Sequence, residues 1–358
     1  MSDDKRLYFI RNIEALKGKG VKSHVNEYEI ITDAHIVGSI KYGPYDMMIW
    51  EFSRKKTGED RKVILRIKEA FPLIDRTKKY DNYSGYYHGG HIAEEVVFFS
   101  SLFLRRRLKL GPIVRSNGVP RYFSFQEKSL DAQLVFGKSS FEELRIWFRL
   151  VEKFDVKYHQ RFILSARLYH RAISSIDEQP DMAYLDLVSA IETLSQYHEL
   201  EDLKLSDLNN KKLTKLVDQV SPTELKEKIQ SAILKSNRFI KRKFVAFIFE
   251  NLDESFWTDQ RRPTIGRIQK RDLPQLLERI YDQRSKTLHN GDPFPGYIFY
   301  NSSVGEEISS SLGITMGEKH WNPKDFIPYP HFFERLVNHV LKNFLEKHQM
   351  EDTGLKNT

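Results

Sequence analysis

The sequence predicts an α+β domain over residues 1–154, an all-α helical bundle over 155–350, and a frayed polar tail at 351–358. Three observations carry this reading. Short runs of β-branched and aromatic residues, separated by turn signals, fill the first third of the chain. From about residue 155 the apolar period becomes helical almost throughout. The 358 residues, 40% of them hydrophobic, are enough to bury a sizeable core shared between two domains.

The elements follow in order. Strands are expected at 28–32, 35–42, 45–52 and 61–67, with turns at Gly43-Pro44 and at residues 57–60. A helix is expected over 92–104, buried at its far end, then short strands near 122–125 and 134–136 and a helical stretch over 141–154. In the second half a helix covers 159–174. The next opens with Pro180 in its first turn and carries Tyr184, Leu187, Val188, Ile191 and Leu194 on one stripe. Shorter helices fit 213–220, 224–235 and 239–251. Another opens at Asp272 and Pro274 and stops near Asn290-Gly291. Prolines and glycines near both ends of 292–328 predict an irregular excursion. A last helix then presents a wide apolar face from Phe332 to Leu345.

Composition narrows the function. The chain has no cysteine, which excludes disulfides, thiolate nucleophiles and cysteine zinc sites and suits a reducing cytoplasm. With 30% charged residues and no long uncharged apolar run, no membrane span is expected, and the N-terminus lacks a signal-peptide core. The net charge of +8 is clustered at Arg105-Arg106-Arg107, at Lys241-Arg242-Lys243 and around Arg261 to Arg271, and favours a polyanionic partner. Charge alone suits an ordinary solvated basic face equally well.

The stretch that carries chemistry is Tyr281-Asp282-Gln283-Arg284-Ser285-Lys286-Thr287-Leu288-His289-Asn290-Gly291. On an ideal helix Tyr281, Arg284 and Leu288 lie within about 40° of Leu277, so Arg284 falls on the apolar stripe. A guanidinium there must pair, reach water past its neighbours, or face a cleft built for an anion. His289 lies about 120° round from Leu277 and cannot meet Arg284 on one phosphate along a regular helix. Convergence needs an unwound helix end, which Asn290-Gly291 permits, or a second copy of the site from a partner chain. Arg and His at this spacing recur by chance. Taken alone they suit a snorkelling arginine and a histidine at the negative end of a helix dipole.

More than the spacing matches. The run Tyr281-Asp282-x-Arg284-Ser285-Lys286-x-x-His289-x-Gly291 resembles the signature of the Apea-like branch of HEPN domains. The earlier segment from Asp181 to Leu194, ending Ala190-Ile191-Glu192-Thr193-Leu194, resembles the helix of that branch with an Ala-hydrophobic-Glu-x-Leu ending. Arg167 to Ile173 fits the preceding position. The resemblance covers about residues 155 to 347. The sequence departs from it where Asn290 stands between the histidine and the glycine, and in the long excursion before the last helix.

The resemblance implies a HEPN-like bundle acting as a metal-independent endoribonuclease, usually a homodimer with Arg-His pairs from two protomers facing one cleft, in antiviral defence or a toxin-like role. RNA is the expected partner and no cofactor or metal is expected. Arg284 and His289 are the expected catalytic residues. The chemistry is self-consistent, because RNA supplies its own 2′-hydroxyl nucleophile and the protein need only move protons and stabilise charge. An unperturbed histidine titrates near neutral pH, and an arginine can grip two phosphate oxygens. Lys286, on the far side of the helix, and Lys241, Arg242 and Lys243 are candidate RNA-backbone contacts. The N-terminal domain is expected to bind a trigger molecule or restrain the nuclease, on architecture alone. The rival reading is a non-catalytic helical module that binds RNA or a protein partner.

Other signals are weaker. The tyrosine-rich run from Lys78 to His91 suits a surface loop better than a base-stacking platform, and His88-x-x-His91 lacks a third metal ligand. Glu94-Glu95 are read as charges favoured at a helix start. Glu192 is a candidate to orient Arg284 or His289, but a polar residue on a helix flank is the preferred reading.

Overall fold

The computed structural model describes residues 6–51, 61–71, 91–121, 138–200, 211–236, 239–259, 262–299 and 305–350. It has an N-terminal region built on an antiparallel sheet and a C-terminal helical region. The chain opens with a helix, α1 (Tyr8–Ala15), followed by β1 (Ser23–Ile31), β2 (Ile36–Val37), β3 (Ile40–Tyr42), β4 (Tyr45–Glu51) and β5 (Arg61–Ala70). After α2 (Ile92–Leu104) come β6 (Lys109–Ser116), β7 (Val119–Pro120) and β8 (Ser139–Ser140). Six strands run in the order β3-β4-β5-β1-β6-β7, while β2 and β8 form a separate parallel pair.

Residue alternation explains the sheet. Tyr28 and Ile30 of β1, Val63, Leu65 and Ile67 of β5, and Tyr45 and Met47 of β4 point to one buried face. Their neighbours carry charge to the other face, where Lys62 pairs with Glu29 at 2.7 Å and Arg115 with Glu27 at 3.3 Å. The buried face meets α1 and α2, and α2 also packs on the helical region. This position between two layers explains why α2 is buried along its whole length rather than only at its far end. Its start is closed by a capping box in which the His91 Nδ1 accepts from Ala93 and the Glu94 carboxylate accepts from His91 N–H. Glu94 thus serves the helix start as expected. Glu95 does not. It is fully buried and accepts the N–H groups of Tyr8 and Phe9 at 3.2 and 2.8 Å, capping α1 instead.

After β8 come α3 (Leu144–Glu152), α4 (His159–Ser175), α5 (Pro180–Ser195), α6 (Lys211–Asp218), α7 (Thr223–Ser236), α8 (Ile240–Glu250), α9 (Ser255–Thr258), α10 (Leu273–Asn290) and α11 (Pro330–Lys347). The stripe expected on α5 is fully buried, and so are Phe333, Leu336, Val337, Val340, Leu341 and Leu345 of α11. Helices α4 and α5 form the central pair, α11 packs against both, and α8 and α10 pack on α5. The excursion before α11 contains a short hairpin of β9 (Ile314–Met316) and β10 (Lys319–Trp321). It is anchored to the bundle by Phe294, whose ring stacks on Tyr184 at 5.4 Å, while Tyr184 stacks on Phe333 from another side.

One core of buried residues runs from Leu7 to Leu345 and crosses the boundary expected at residues 154 and 155. The crossing is polar as well as apolar. Asn338 of α11 donates to the Leu102 carbonyl of α2 at 2.7 Å, and Met350 N–H donates to the Lys153 carbonyl at 2.7 Å. The strands expected at 122–125 and 134–136, the turn at 57–60, the loop over 78–90 and the tail 351–358 lie outside the described residues. No helix among the described residues is long and apolar enough to cross a membrane.

Candidate active site

The motif lies on the second half of α10. Leu273, Leu276, Leu277 and Ile280 bury its first half. Beyond Ile280 the helix leaves the core, so Leu288 is 53% exposed rather than part of the buried stripe. Arg284 therefore sits where the stripe meets solvent. The cause is geometric: an apolar i, i+4 row drifts around a 3.6-residue helix, and α5, the surface it packs on, ends at Ser195.

Arg284 has found a partner. Its Nη2 donates to the Glu192 Oε2 of α5 at 2.7 Å, and the Tyr281 hydroxyl donates to the Glu192 Oε1 at 2.8 Å. The guanidinium also lies 5.8 Å from the centre of the Tyr281 ring. Burial, and then the hydrogen bond to Glu192, push the Tyr281 phenol well above its ordinary pKa, so it stays protonated and acts as a donor. The Arg284 Nε is buried and has no hydrogen-bond partner among the described residues. Glu192 thus draws on one nitrogen of the guanidinium instead of gripping it with both oxygens.

His289 is exposed in the last turn of the same helix, with Lys286 and Asn290 exposed beside it. The helix stays regular through Asn290 and ends on Gly291. That residue adopts φ 73°, and its N–H closes on the Thr287 carbonyl at 3.1 Å. A side chain at 291 would meet no steric obstacle, so the glycine serves the left-handed backbone alone. The helix end is not unwound, and Arg284 and His289 remain on different faces of α10.

The basic cluster on α8 sits alongside. Lys241 pairs with Asp282 at 2.8 and 2.9 Å, and Phe244 lies 5.4 Å from Tyr281, ring centre to ring centre. Arg242 is exposed and Lys243 half-buried. The structure therefore brings together Arg284, Tyr281, Asp282, Lys241 and Glu192, and leaves His289 and Lys286 facing solvent.

Glu192 is the residue that reading the sequence undervalued. The available signal was its setting: it follows Ile191 on a helix buried on most sides, where a carboxylate needs a cation close by. Among the described residues no cluster of three or more His, Asp or Glu side chains forms a metal site. Comparison of the chain with protein-family models, with curated proteins and with solved structures gives no match.

Proposed function

We propose that this protein is a metal-independent endoribonuclease of HEPN type, acting as a homodimer in antiviral defence or a toxin-like role. The observation that carries the reading is Arg284 itself. It is a guanidinium at the edge of the core, held by a single hydrogen bond to Glu192, on the helix that presents His289 to solvent one and a half turns later. Such an arginine is fixed in place yet keeps donor capacity for an anion.

In this reading the RNA 2′-hydroxyl attacks the adjacent phosphorus, His289 moves the proton, and Arg284 stabilises the charge that grows on the phosphorane oxygens. The 5′-oxygen leaves and takes up a proton, giving a 2′,3′-cyclic phosphate and a 5′-hydroxyl. Because the two residues diverge on a regular helix, each cleft takes them from two copies of α10 across a two-fold axis. Leu288, exposed between them in sequence, gives that face an apolar contact.

The test is cleavage of single-stranded RNA by the full chain in the presence of EDTA. His289→Ala should lower the rate by about 10²–10⁴ and Arg284→Ala by about 10²–10³, and Arg284→Lys should not rescue, since a point charge lacks the planar fork. A DNA strand, which has no 2′-hydroxyl, should stay intact. Full activity in His289→Ala, cutting of DNA, or activity that requires magnesium would overturn the reading. The divergence of Arg284 and His289 within one chain equally suits a non-catalytic module that binds RNA or a protein. That reading is the one left if no variant, wild type included, cleaves RNA.

A further inference from the structure

The C-terminal end of α5 gathers two cations that the motif does not include. Lys157 lies on a single helical turn, Val156–Tyr158, that leads into α4, and Arg161 lies in the first turn of α4 itself. Both close on Tyr197, just past the end of α5. The Lys157 Nζ sits 5.7 Å and the Arg161 guanidinium 4.7 Å from the centre of its ring. The ring is fixed in its turn, because it stands edge-on to Tyr158 at 4.8 Å and its hydroxyl donates to the Lys157 carbonyl at 2.9 Å.

Both cations keep donors to spare. Arg161 spends only Nη1, on the Thr193 carbonyl at 3.4 Å and the Gln196 Oε1 at 3.0 Å, so its Nε and Nη2 have no partner among the described residues. The Lys157 ammonium touches only the faces of Tyr158 and Tyr197. The acids alongside are engaged elsewhere: Asp155 accepts the Lys157 backbone N–H at 2.9 Å, and Glu250 pairs with His198 at 2.6 Å. Lys157 is exposed and Arg161 half-buried, so both are open to a ligand. Like charges gathered on one ring repel each other, and an anion shared between them removes that repulsion.

Their place in the fold gives them a use. Thr193, whose carbonyl takes Arg161, directly follows Glu192, whose carboxylate takes Arg284. Two neighbouring residues of α5 therefore hold one arginine each, on adjacent sides of the helix, and each arginine retains an unpaired Nε. On the other flank of the motif, Lys241 is neutralised by Asp282 at 2.8 Å. The free positive charge next to Arg284 thus lies toward α4 and not toward Lys241.

We infer that Lys157 and Arg161 form a backbone subsite for single-stranded RNA, gripping phosphates beyond the one presented to Arg284. The choice of ligand rests on the ribonuclease reading. A guanidinium fork and an ammonium hold phosphate oxygens whatever base is attached, so the subsite supplies affinity and position without sequence preference. It carries the strand from α10 across the end of α5 onto α4.

The experiment measures fluorescence anisotropy of a labelled single-stranded 2′-deoxyoligonucleotide, which this chemistry cannot cut, and cleavage of RNA of the same sequence. Both use the full chain over a series of salt concentrations. Lys157→Gln with Arg161→Gln removes the subsite, and Lys17→Gln with Lys19→Gln removes equal charge from exposed positions beyond α1. Thermal unfolding checks that each variant is folded. Lys157→Gln alone, which gives up no side-chain hydrogen bond, is read if the double variant does not fold. The double variant should bind the strand about tenfold or more weakly, with a salt slope smaller by about 1.4, and Lys157→Gln alone should lower the slope by about 0.7. For cleavage, the double variant should raise KM and leave kcat near wild type. Equal binding and slope in the folded variants, or the same loss in the control, would overturn the subsite. So would a wild type that binds no strand and binds only phosphatidylglycerol vesicles through these residues, which would mark a membrane surface instead. A wild type that binds the strand through Lys157 and Arg161 but cuts no RNA would uphold the subsite and remove the ribonuclease reading.

Discussion

Two arginine–glutamate pairs in this molecule are almost equally shielded on the arginine side and differ in what surrounds them. Arg105 is 18% exposed and Arg284 is 19% exposed. Glu334, the partner of Arg105, is fully buried. It takes the arginine through both Nε and Nη2 and also accepts the Tyr169 hydroxyl, which in turn accepts from Asn338. Glu192 takes Arg284 through a single nitrogen, and the Arg284 Nε is left buried without a partner among the described residues. The first network is closed and joins α2 to α4 and α11. The second is open. A buried donor left unpaired costs about 1–3 kcal/mol, so the Arg105 network is expected to hold the fold more strongly than the Arg284 pair.

The largest expected effect separates the two. Glu334→Ala should destabilise the fold by about 3–5 kcal/mol, because it strands Arg105 in the interior. Chemical denaturation would show it, and a shift as small as that of Glu192→Ala would make the two networks equivalent. Glu192→Gln should leave the denaturation midpoint close to wild type and lower RNA cleavage about tenfold, by loosening Arg284. An unchanged rate in that variant would remove Glu192 from the positioning of the site.

Acid sharpens the same contrast. Burial pushes the Glu334 carboxyl upward, yet the charge and hydrogen bonds of Arg105 outweigh it and hold its pKa below the ordinary value. A carboxyl that binds protons more weakly folded than unfolded contributes stability fully above its unfolded pKa, about 4.3. That contribution disappears as pH falls through the folded value. Stability should therefore fall below about pH 4, and Glu334→Gln should flatten the slope; identical slopes in unfolding curves would deny Glu334 this role. The smallest effect is expected for Tyr281→Phe, which removes one hydrogen bond to Glu192 and should cost about 1 kcal/mol by thermal unfolding. A loss like that of Glu334→Ala would mean the motif network is architectural after all.

Local patterns in the sequence carried most of the elements. The apolar stripes of α5 and α11 and the alternation in β1, β4 and β5 are periodic, and periodicity needs no tertiary information. Residues 92–104 matched α2 for the same reason, and Gly291 ended α10 as the glycine after Asn290 suggested. Helix α1 was missed: it has eight residues, no side-chain cap of its own, and depends on Glu95, more than eighty positions away. The excursion before α11 is held in the same long-range manner by Glu307. Only 3% exposed, it accepts from Arg262 and Arg335 and from the Ile268 N–H.

The sequence by itself determined the helical periodicity of the second half, the alternating strands of the first, and the order of Tyr281, Arg284 and His289 along one helix. Only the tertiary structure decided that Glu192, 92 residues before Arg284, is its partner, that α10 stays regular through His289, and that one core joins the two halves. The physical reason is range. Backbone sterics and apolar periodicity act over a few residues and are written locally. The pairing of a buried charge is settled by whichever opposite charge packing brings within hydrogen-bond reach.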